Sequence, residues 1–436
     1  MSDFDIGLVS LAVMVFLVYG GLWMPFALML TSYLGVWAIK GTPLLAGKML
    51  ALSASDAIAN YYFGVIPLFV LMGYIVSATG MATDAFDIAN QAFRKIKGGL
   101  GLGTVGANAI FAAITGISIA SAAVFTKVAV PEMVKHGYTK RFSVGLVAGS
   151  SVLGMLIPPS LLLILYGIIT EQSIGDLFLA GILPGILLAV MFGVGIILMA
   201  MFTPKLVGSH LSKLEQNELL PMSELVKKGF PIVALISIVL GGIYGGLFTP
   251  TEAGAVGALG AIVIGLLKKK LNWTNFWQVL KETGTVTASI SFLILGAQMY
   301  SRMLSLSELP VGLGTLIAHA DIGLMGILLA YIVLIILMGT ILDAASIMLI
   351  LVPLMLPILA GMDVNLIWFG IITIIGVEIG LLTPPFGVSV FVIKSALNDD
   401  SMPIGQIFLG AAPFVLMMLA TLGLILIFPS IATILI

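Results

Sequence analysis

The sequence predicts an all-α polytopic membrane protein whose two halves repeat one motif with opposite sense. Three observations carry this expectation. Only 9% of the 436 residues are charged and 60% are hydrophobic, whereas a soluble domain usually carries about 25% charged residues. Uncharged stretches at 6–39, 98–126, 142–170, 177–204 and 344–362 match the roughly 20 apolar residues that cross a hydrocarbon core. Two Pro-Pro steps interrupt such stretches, one in each half: Pro158-Pro159 and Pro384-Pro385. A glycine stands four residues before each (Gly154 and Gly380).

Residues 1–97 are read as scaffold helices. Residues 6–39 run too long for a cleavable leader and have no basic residues ahead of them, so they read as spans. Two spans in 4–39 and one in 57–80 put the N-terminus outside. Lys40 and Lys48 then fall outside as well, against the positive-inside rule.

That rule places the basic clusters in the cytoplasm: Arg94 to Lys97, Lys135 to Arg141, Lys205 to Lys228, and Lys268-Lys269-Lys270. Residues 98–134 are flanked by two of these clusters. They enter and return as a re-entrant hairpin with a small, polar tip, Thr115 to Ser121. The broken segment 142–170 then runs outward, Glu171 to Asp176 turn outside, and 177–203 return. These elements make a first repeat over 98–203.

The charged stretch 205–228 is expected to be the longest loop and the boundary between halves. Residues 230–248 and 250–267 make a helical pair. Trp273 to Glu282 read as an amphipathic interfacial segment, after which 283–304 exit. Residues 204–321 thus form connecting loop and scaffold.

The second repeat covers 322–436. Residues 322–360 read as a hairpin with its tip at Gly339 to Asp343, entering from outside. Residues 364–393 hold the second break and run inward to Lys394, and 404–428 exit again. Matching details recur in order: Val130-Pro131 with Val352-Pro353, the two Pro-Pro steps, and Phe178 to Gly181 with Phe408 to Gly410. This order describes an inverted-topology repeat.

Composition also excludes functions. A net charge of −1 argues against a nucleic-acid partner, and the absence of cysteine rules out thiol and disulfide chemistry. His136, His210 and His319 lie far apart, which argues against a metal or haem site. Gly101-Leu-Gly-Thr-Val-Gly106 has the letters of a dinucleotide fingerprint but no preceding strand and no later acid. It reads as close helix packing through small residues. Gly41 to Met49 resembles a phosphate loop but has one residue too many and lacks the Ser/Thr for magnesium. No ATP site is expected, and the chain is not read as an enzyme.

Proline removes a backbone donor and clashes with the preceding turn, so neither interrupted stretch is one regular helix. In lipid, such backbone survives only where protein or a water-filled cavity covers it. Paired breaks in corresponding halves are therefore the best pointer to a binding site. Ser118 and Ser121 at the first tip, Ser150 and Ser151 near the first break, and Thr340 and Thr383 in the second half supply neutral oxygens. Each also has the plain reading of bonding its own backbone. Asp343 caps the second limb of its hairpin or supports an ion site. Glu378 takes a cation directly, carries a proton, or pairs with a buried base; an acid inside an apolar run suggests function. Thr249-Pro-Thr-Glu252 is a capping box at a helix start.

Five segments together resemble the large membrane subunit of tripartite ATP-independent periplasmic (TRAP) transporters, over nearly the whole chain. They are Ser150 to Ser160, Ser173 to Gly185, Phe248 to Gly257, Leu342-Asp343 with Pro353 and Pro357, and Glu378 to Gly387. The resemblance implies an elevator-type transporter of the ion transporter superfamily in the bacterial cytoplasmic (inner) membrane. It implies Na⁺-driven uptake of a small organic acid, with Na⁺ as coupling ion and no other cofactor. Partners would be a periplasmic substrate-binding protein and a small four-helix membrane subunit. On this reading Ser118, Ser121, Ser150, Ser151 and Gly154, with Pro158, serve one ion or substrate site. Thr340, Asp343, Gly380 and Thr383, with Pro384 and Glu378, serve the symmetric one. Gly376 and Val377 stand where many family members carry Asn. The rival reading is a stand-alone dimeric Na⁺/dicarboxylate symporter of similar architecture, which would need no second membrane subunit.

Overall fold

Several helices start at a side-chain cap and several end at a left-handed glycine. The computed structural model describes residues 1–59, 61–207, 220–319, 323–399 and 401–436, and these contain helices and no strands. Helix α1 (Asp3–Tyr19) starts from Ser2, whose hydroxyl accepts from the Asp5 N–H while the Asp5 carboxylate answers the Ser2 N–H. That reciprocal pair satisfies two donors a helix start leaves open. Helix α2 (Met24–Lys40) ends at Gly41, which is left-handed at φ 75°. Helix α3 (Pro43–Ala59) and a 3-10 turn (Tyr61–Gly64) precede α4 (Val65–Ala78), and α5 (Met81–Phe93) is bent 67° from α4.

The expected single span at 57–80 is thus corrected to a 14-residue helix with separate helices on both sides. Lys48 and Asp56 break the apolar run of α3 and hid it from a hydropathy reading. Pro43 at its first turn suits helix entry, since that N–H has no intrahelical partner.

The first hairpin is α6 (Gly99–Thr115) and α7 (Ser118–Lys135), turning at Gly116 and Ile117 inside the expected tip. The broken segment is α8 (Lys140–Ser151), α9 (Leu153–Leu156) and α10 (Leu161–Thr170), bent by 42°. Helix α11 (Ile174–Phe202) is continuous through Pro184, and α12 (Pro204–Val207) follows. The middle of the expected linker, with His210, lies outside the described residues.

Helix α13 (Met222–Tyr244) begins earlier than its apolar core does, so the linker is shorter than expected. Lys228 pairs with both Asp87 and, at 3.8 Å, Asp84 of α5, and Lys268 pairs with Asp84 as well. These part-buried charges hold the start of α13 as helix against α5. Helix α14 (Pro250–Leu267) has the capping box expected of Thr249 and Glu252. The Tyr61 hydroxyl lies 3.3 Å from that of Thr249. The turn after α3 therefore sits beside the start of α14, an outward end on the charge map.

Helix α15 (Trp273–Leu306) is one 34-residue rod. The expected division between an interfacial segment and a span at Glu282 does not occur, because no proline or glycine pair interrupts the ladder there. Helix α16 (Leu309–His319) leads to residues 320–322, which lie outside the described residues and hold the expected boundary between scaffold and second repeat. The second hairpin is α17 (Leu324–Gly339) and α18 (Ala344–Ala360). Then come α19 (Leu366–Leu381), a break at 382–387, α20 (Val388–Leu397), α21 (Ile404–Ile427) and α22 (Ser430–Thr433).

Among the described residues α11, α13, α14 and α21 are individually long and apolar enough to span, and two bent pairs bring the number to six. Small residues let the inner helices touch. A Cβ on Gly145 of α8 would overlap the Gly410 carbonyl of α21, and one on Gly103 of α6 would lie 2.8 Å from the Asn90 Cα of α5. The glycine-rich run at 101–106 packs helices, as expected. Phe192 and Phe414 meet edge to face at 5.7 Å where α11 crosses α21.

Candidate functional site

Each hairpin tip meets the break that follows it. Helix α6 ends on its C-cap Gly116, whose carbonyl accepts from the Leu161 N–H at 3.1 Å. Helix α17 ends on its C-cap Thr340, whose carbonyl accepts from the Gly387 N–H at 3.0 Å. Leu161 and Gly387 both stand third after the first proline of their Pro-Pro step. Both donors lie at the start of a half-helix, where N–H groups lack intrahelical partners, and both acceptors lie at a helix end. The same contact thus occurs in each half.

Glycine makes the approach possible. A Cβ on Gly154 would stand 3.1 Å from the Ser118 nitrogen at the first tip, and one on Gly380 would stand 2.7 Å from the Gly339 Cα. Both X-Pro bonds of the breaks, Pro158-Pro159 and Pro384-Pro385, are cis.

Around the first tip the polar side chains form a buried network. Asn108 of α6 is the bridge: its Nδ2 donates to Ser150 Oγ at 2.7 Å and its Oδ1 accepts from Ser121 Oγ at 2.5 Å. Ser150 donates onward to the Leu146 carbonyl. Ser118, one turn before Ser121 on α7, donates to Glu378 Oε1 at 3.1 Å. Glu378 is fully buried on α19, and its Oε2 has no hydrogen-bond partner. Hairpin one, broken helix one and broken helix two therefore converge, and Ser118, Ser121, Ser150 and Glu378 are brought together as one cluster.

The sequence reading missed Asn108. Its signal was present: it is the one amide in the uncharged stretch 98–126, and polar side chains inside an apolar hairpin need partners across helices.

Other predicted residues stand apart from this network. Ser151 donates to its own helix at the Ala148 carbonyl. Thr340 and Thr383 donate to the Leu337 and Ile379 carbonyls of their own helices. Asp343 caps α18, taking the Ser346 N–H at 3.0 Å and the Ser346 hydroxyl at 2.5 Å. The two breaks differ in exposure. Pro158 and Pro159 are buried, whereas Pro384, Pro385 and Asp343 are exposed and Phe386 keeps 55% of its surface open.

Chemically, the buried cluster offers hydroxyl, amide and carboxylate oxygens and no cationic side chain. The Ser118 and Ser121 hydroxyls spend their protons on Glu378 and Asn108, which leaves their oxygens able to accept. Such a set suits a small desolvated cation or a proton, given the cost of an unpaired carboxylate in a dry site.

Comparison with known proteins agrees with this architecture. Residues 8–431 match the family model "Tripartite ATP-independent periplasmic transporter, DctM component". The chain is 31% identical over 386 residues to the C4-dicarboxylate TRAP transporter large permease protein DctM of Pseudomonas aeruginosa, covering 88% of each. It is 31% identical over 415 residues to the isethionate TRAP transporter permease protein DctMQ of Oleidesulfovibrio alaskensis, covering 90% of this chain and 64% of that longer one. The crystal structure of the YdaH transporter of Alcanivorax borkumensis superposes with a TM-score of 0.61 at 15% identity, over 89% of this chain and 90% of that one. That likeness shows the fold alone, an assembly of apolar helices. The family model covers almost every element that builds the tips and breaks, and on that match the chain belongs to the DctM family, the large permease components of TRAP transporters.

Proposed function

We propose that this chain carries Na⁺-coupled uptake of a small organic acid across the bacterial inner membrane. It would do so as the large subunit of a three-part system, with a small membrane subunit and a periplasmic binding protein. Two family traits support this reading. Relatives are named for C4-dicarboxylate, isethionate, sialic acid and ectoine, and one is named DctMQ, a longer permease protein.

The observation that carries it is the convergence of Ser118, Ser121, Asn108, Ser150 and Glu378 where hairpin one meets both broken helices. Na⁺ would take its ligands from hydroxyl oxygens and from Glu378. The substrate acid would meet the second tip and break, at the exposed Asp343 and Pro384 with the half-buried Thr383 and the buried Thr340. The two hairpins and two broken helices form an inverted pair that moves as a unit against α1 to α4 and α13 to α15. Their internal ties support such a unit, since tip and break are hydrogen-bonded within each half and α8 touches α21 at Gly145 and Gly410.

The test is uptake in proteoliposomes holding the large and small subunits, with binding protein and labelled acid outside. Uptake requires an inward Na⁺ gradient and the binding protein. Undiminished uptake without the gradient overturns Na⁺ coupling, and full uptake by the large chain alone favours a stand-alone symporter.

A further inference from the structure

A cavity of about 540 Å³ lies away from the buried cluster. Its walls come from α3 (Ser53, Asp56), the end of α10 (Glu171), α15, and the second limb of hairpin two. On the charge map Glu171 belongs to an external turn, and α15 and α18 have their nearer ends outside. The cavity thus opens outward, between scaffold helices and elements of both repeats.

Its lining is built for a ligand rather than for lipid. Gln298, Ser301, Arg302 and Ser305 all face it. Their spacing of i, i+3, i+4 and i+7 makes one polar stripe on α15. Across from it, α18 carries Pro353 and Pro357 inside its helix. Proline lacks the N–H that would bond four residues back. The carbonyls of Leu349 and Pro353, both lining residues, thereby lack the N–H partner a regular helix would give them. One wall therefore offers the Gln298 amide and the Arg302 guanidinium as donors, with the Ser305 hydroxyl given to the Ser301 carbonyl, and the opposite wall offers main-chain acceptors.

The charges are arranged likewise. Arg302 touches Asp56 through one nitrogen at 3.4 Å, with both side chains about half exposed or more (47% and 64%). A pair of that kind is worth little and opens easily. The guanidinium keeps further donors for a carboxylate. Asp56 and Glu171 together outnumber Arg302, so a dicarboxylate would add two negative charges to an already negative cavity. A solute bearing one carboxylate and one cationic nitrogen matches both signs.

We propose that this cavity is an outer receiving site for a small zwitterionic acid, its carboxylate on Arg302 and its cationic nitrogen between Asp56 and Glu171. The inference deepens the uptake reading, on which it rests, by naming the charge class of the solute.

The chain has no cysteine, so Ser301→Cys is a clean reporter, with Ser305→Cys as a second should the first fail to reach the membrane. Cells carrying the full system are treated with a membrane-impermeant thiol reagent, with γ-aminobutyrate or glutarate as matched zwitterionic and dianionic probes. The reporter is labelled from outside, and millimolar γ-aminobutyrate slows labelling by about threefold or more, the scale of one exposed ion pair. Glutarate protects less. R302Q abolishes protection by either probe, and D56N removes the preference between them. An unlabelled pair of reporters, or glutarate protecting as well as γ-aminobutyrate, overturns the proposal. Protection is read without transport, so if it holds while the wild-type system moves no organic acid, only the uptake reading fails.

Discussion

The Ser118 hydroxyl and the Glu378 carboxylate lie 3.1 Å apart although 260 residues separate them in the chain. Ser118 opens the second limb of hairpin one, and Glu378 lies in the first half of broken helix two. The contact therefore ties the two halves at the level of their breaks. The Glu378 Oε2 is buried and without a hydrogen-bond partner, and under the proposed function it is where a cation or proton would change the balance of that tie.

Replacing Glu378 by glutamine keeps the shape and removes the charge. Under the proposed function E378Q weakens apparent Na⁺ affinity tenfold or more, equivalent to about 1.4 kcal/mol, and S118A weakens it less. The double variant shows a coupling of about 0.5–3 kcal/mol, as expected for residues in contact. Na⁺ titration of uptake in proteoliposomes measures all three.

Asn108 uses both ends of its amide to join Ser121 and Ser150. N108A leaves those hydroxyls short of a partner inside the bundle and costs about 1–3 kcal/mol. The measurement is the unfolding midpoint of purified protein in detergent, which falls for N108A and changes little for the exposed T315A.

Gly380 and Gly376 make a matched pair of tests on one helix. A Cβ on Gly380 would press on the Gly339 backbone at 2.7 Å, while one on Gly376 would meet the Ile335 side chain at an ordinary 3.4 Å. G380A pushes hairpin two away from its broken helix and abolishes transport, and G376A keeps most of it. Initial uptake rates at matched membrane levels decide this.

Asp343 separates a cap from an ion site. Asparagine caps as well as aspartate, whereas alanine costs about 1 kcal/mol of helix stability. D343N therefore keeps the wild-type unfolding midpoint and D343A lowers it. If Asp343 also serves substrate or Na⁺, D343N loses apparent affinity despite its stability, and equal affinity in D343N and wild type assigns the residue to capping alone.

Much of the architecture was legible because its punctuation is chemical. The two Pro-Pro steps, the Gly116 turn, the Asp343 cap and the Thr249–Glu252 box each name a local geometry, and the helices end where these residues stand. Helix α3 was not legible, because Lys48 and Asp56 lower its hydropathy while the helix itself is intact. The start of α13 was hidden for the opposite reason: Lys227 and Lys228 look like loop, and only the carboxylates of Asp84 and Asp87, 141 residues away or more in the chain, make them helix. At the site, single-letter chemistry pointed to Ser118, Ser121, Ser150 and Glu378. It passed over Asn108, whose role exists only once α6, α7 and α8 are side by side.

The tip-to-break contacts, Gly116 with Leu161 and Thr340 with Gly387, are made by main chain alone. The side chains at 161 and 340 can therefore change without loss, since every residue but proline brings the N–H and every residue brings the carbonyl. Gly116 and Gly387 cannot, because both are left-handed (φ 64° and 48°) and a Cβ at 116 would stand 2.3 Å from the Pro159 carbonyl oxygen. Each joint is thus free to diverge on one side and bound to glycine on the other. Proline at 161 erases the first joint, and any side chain at 116 or 387 strains its own.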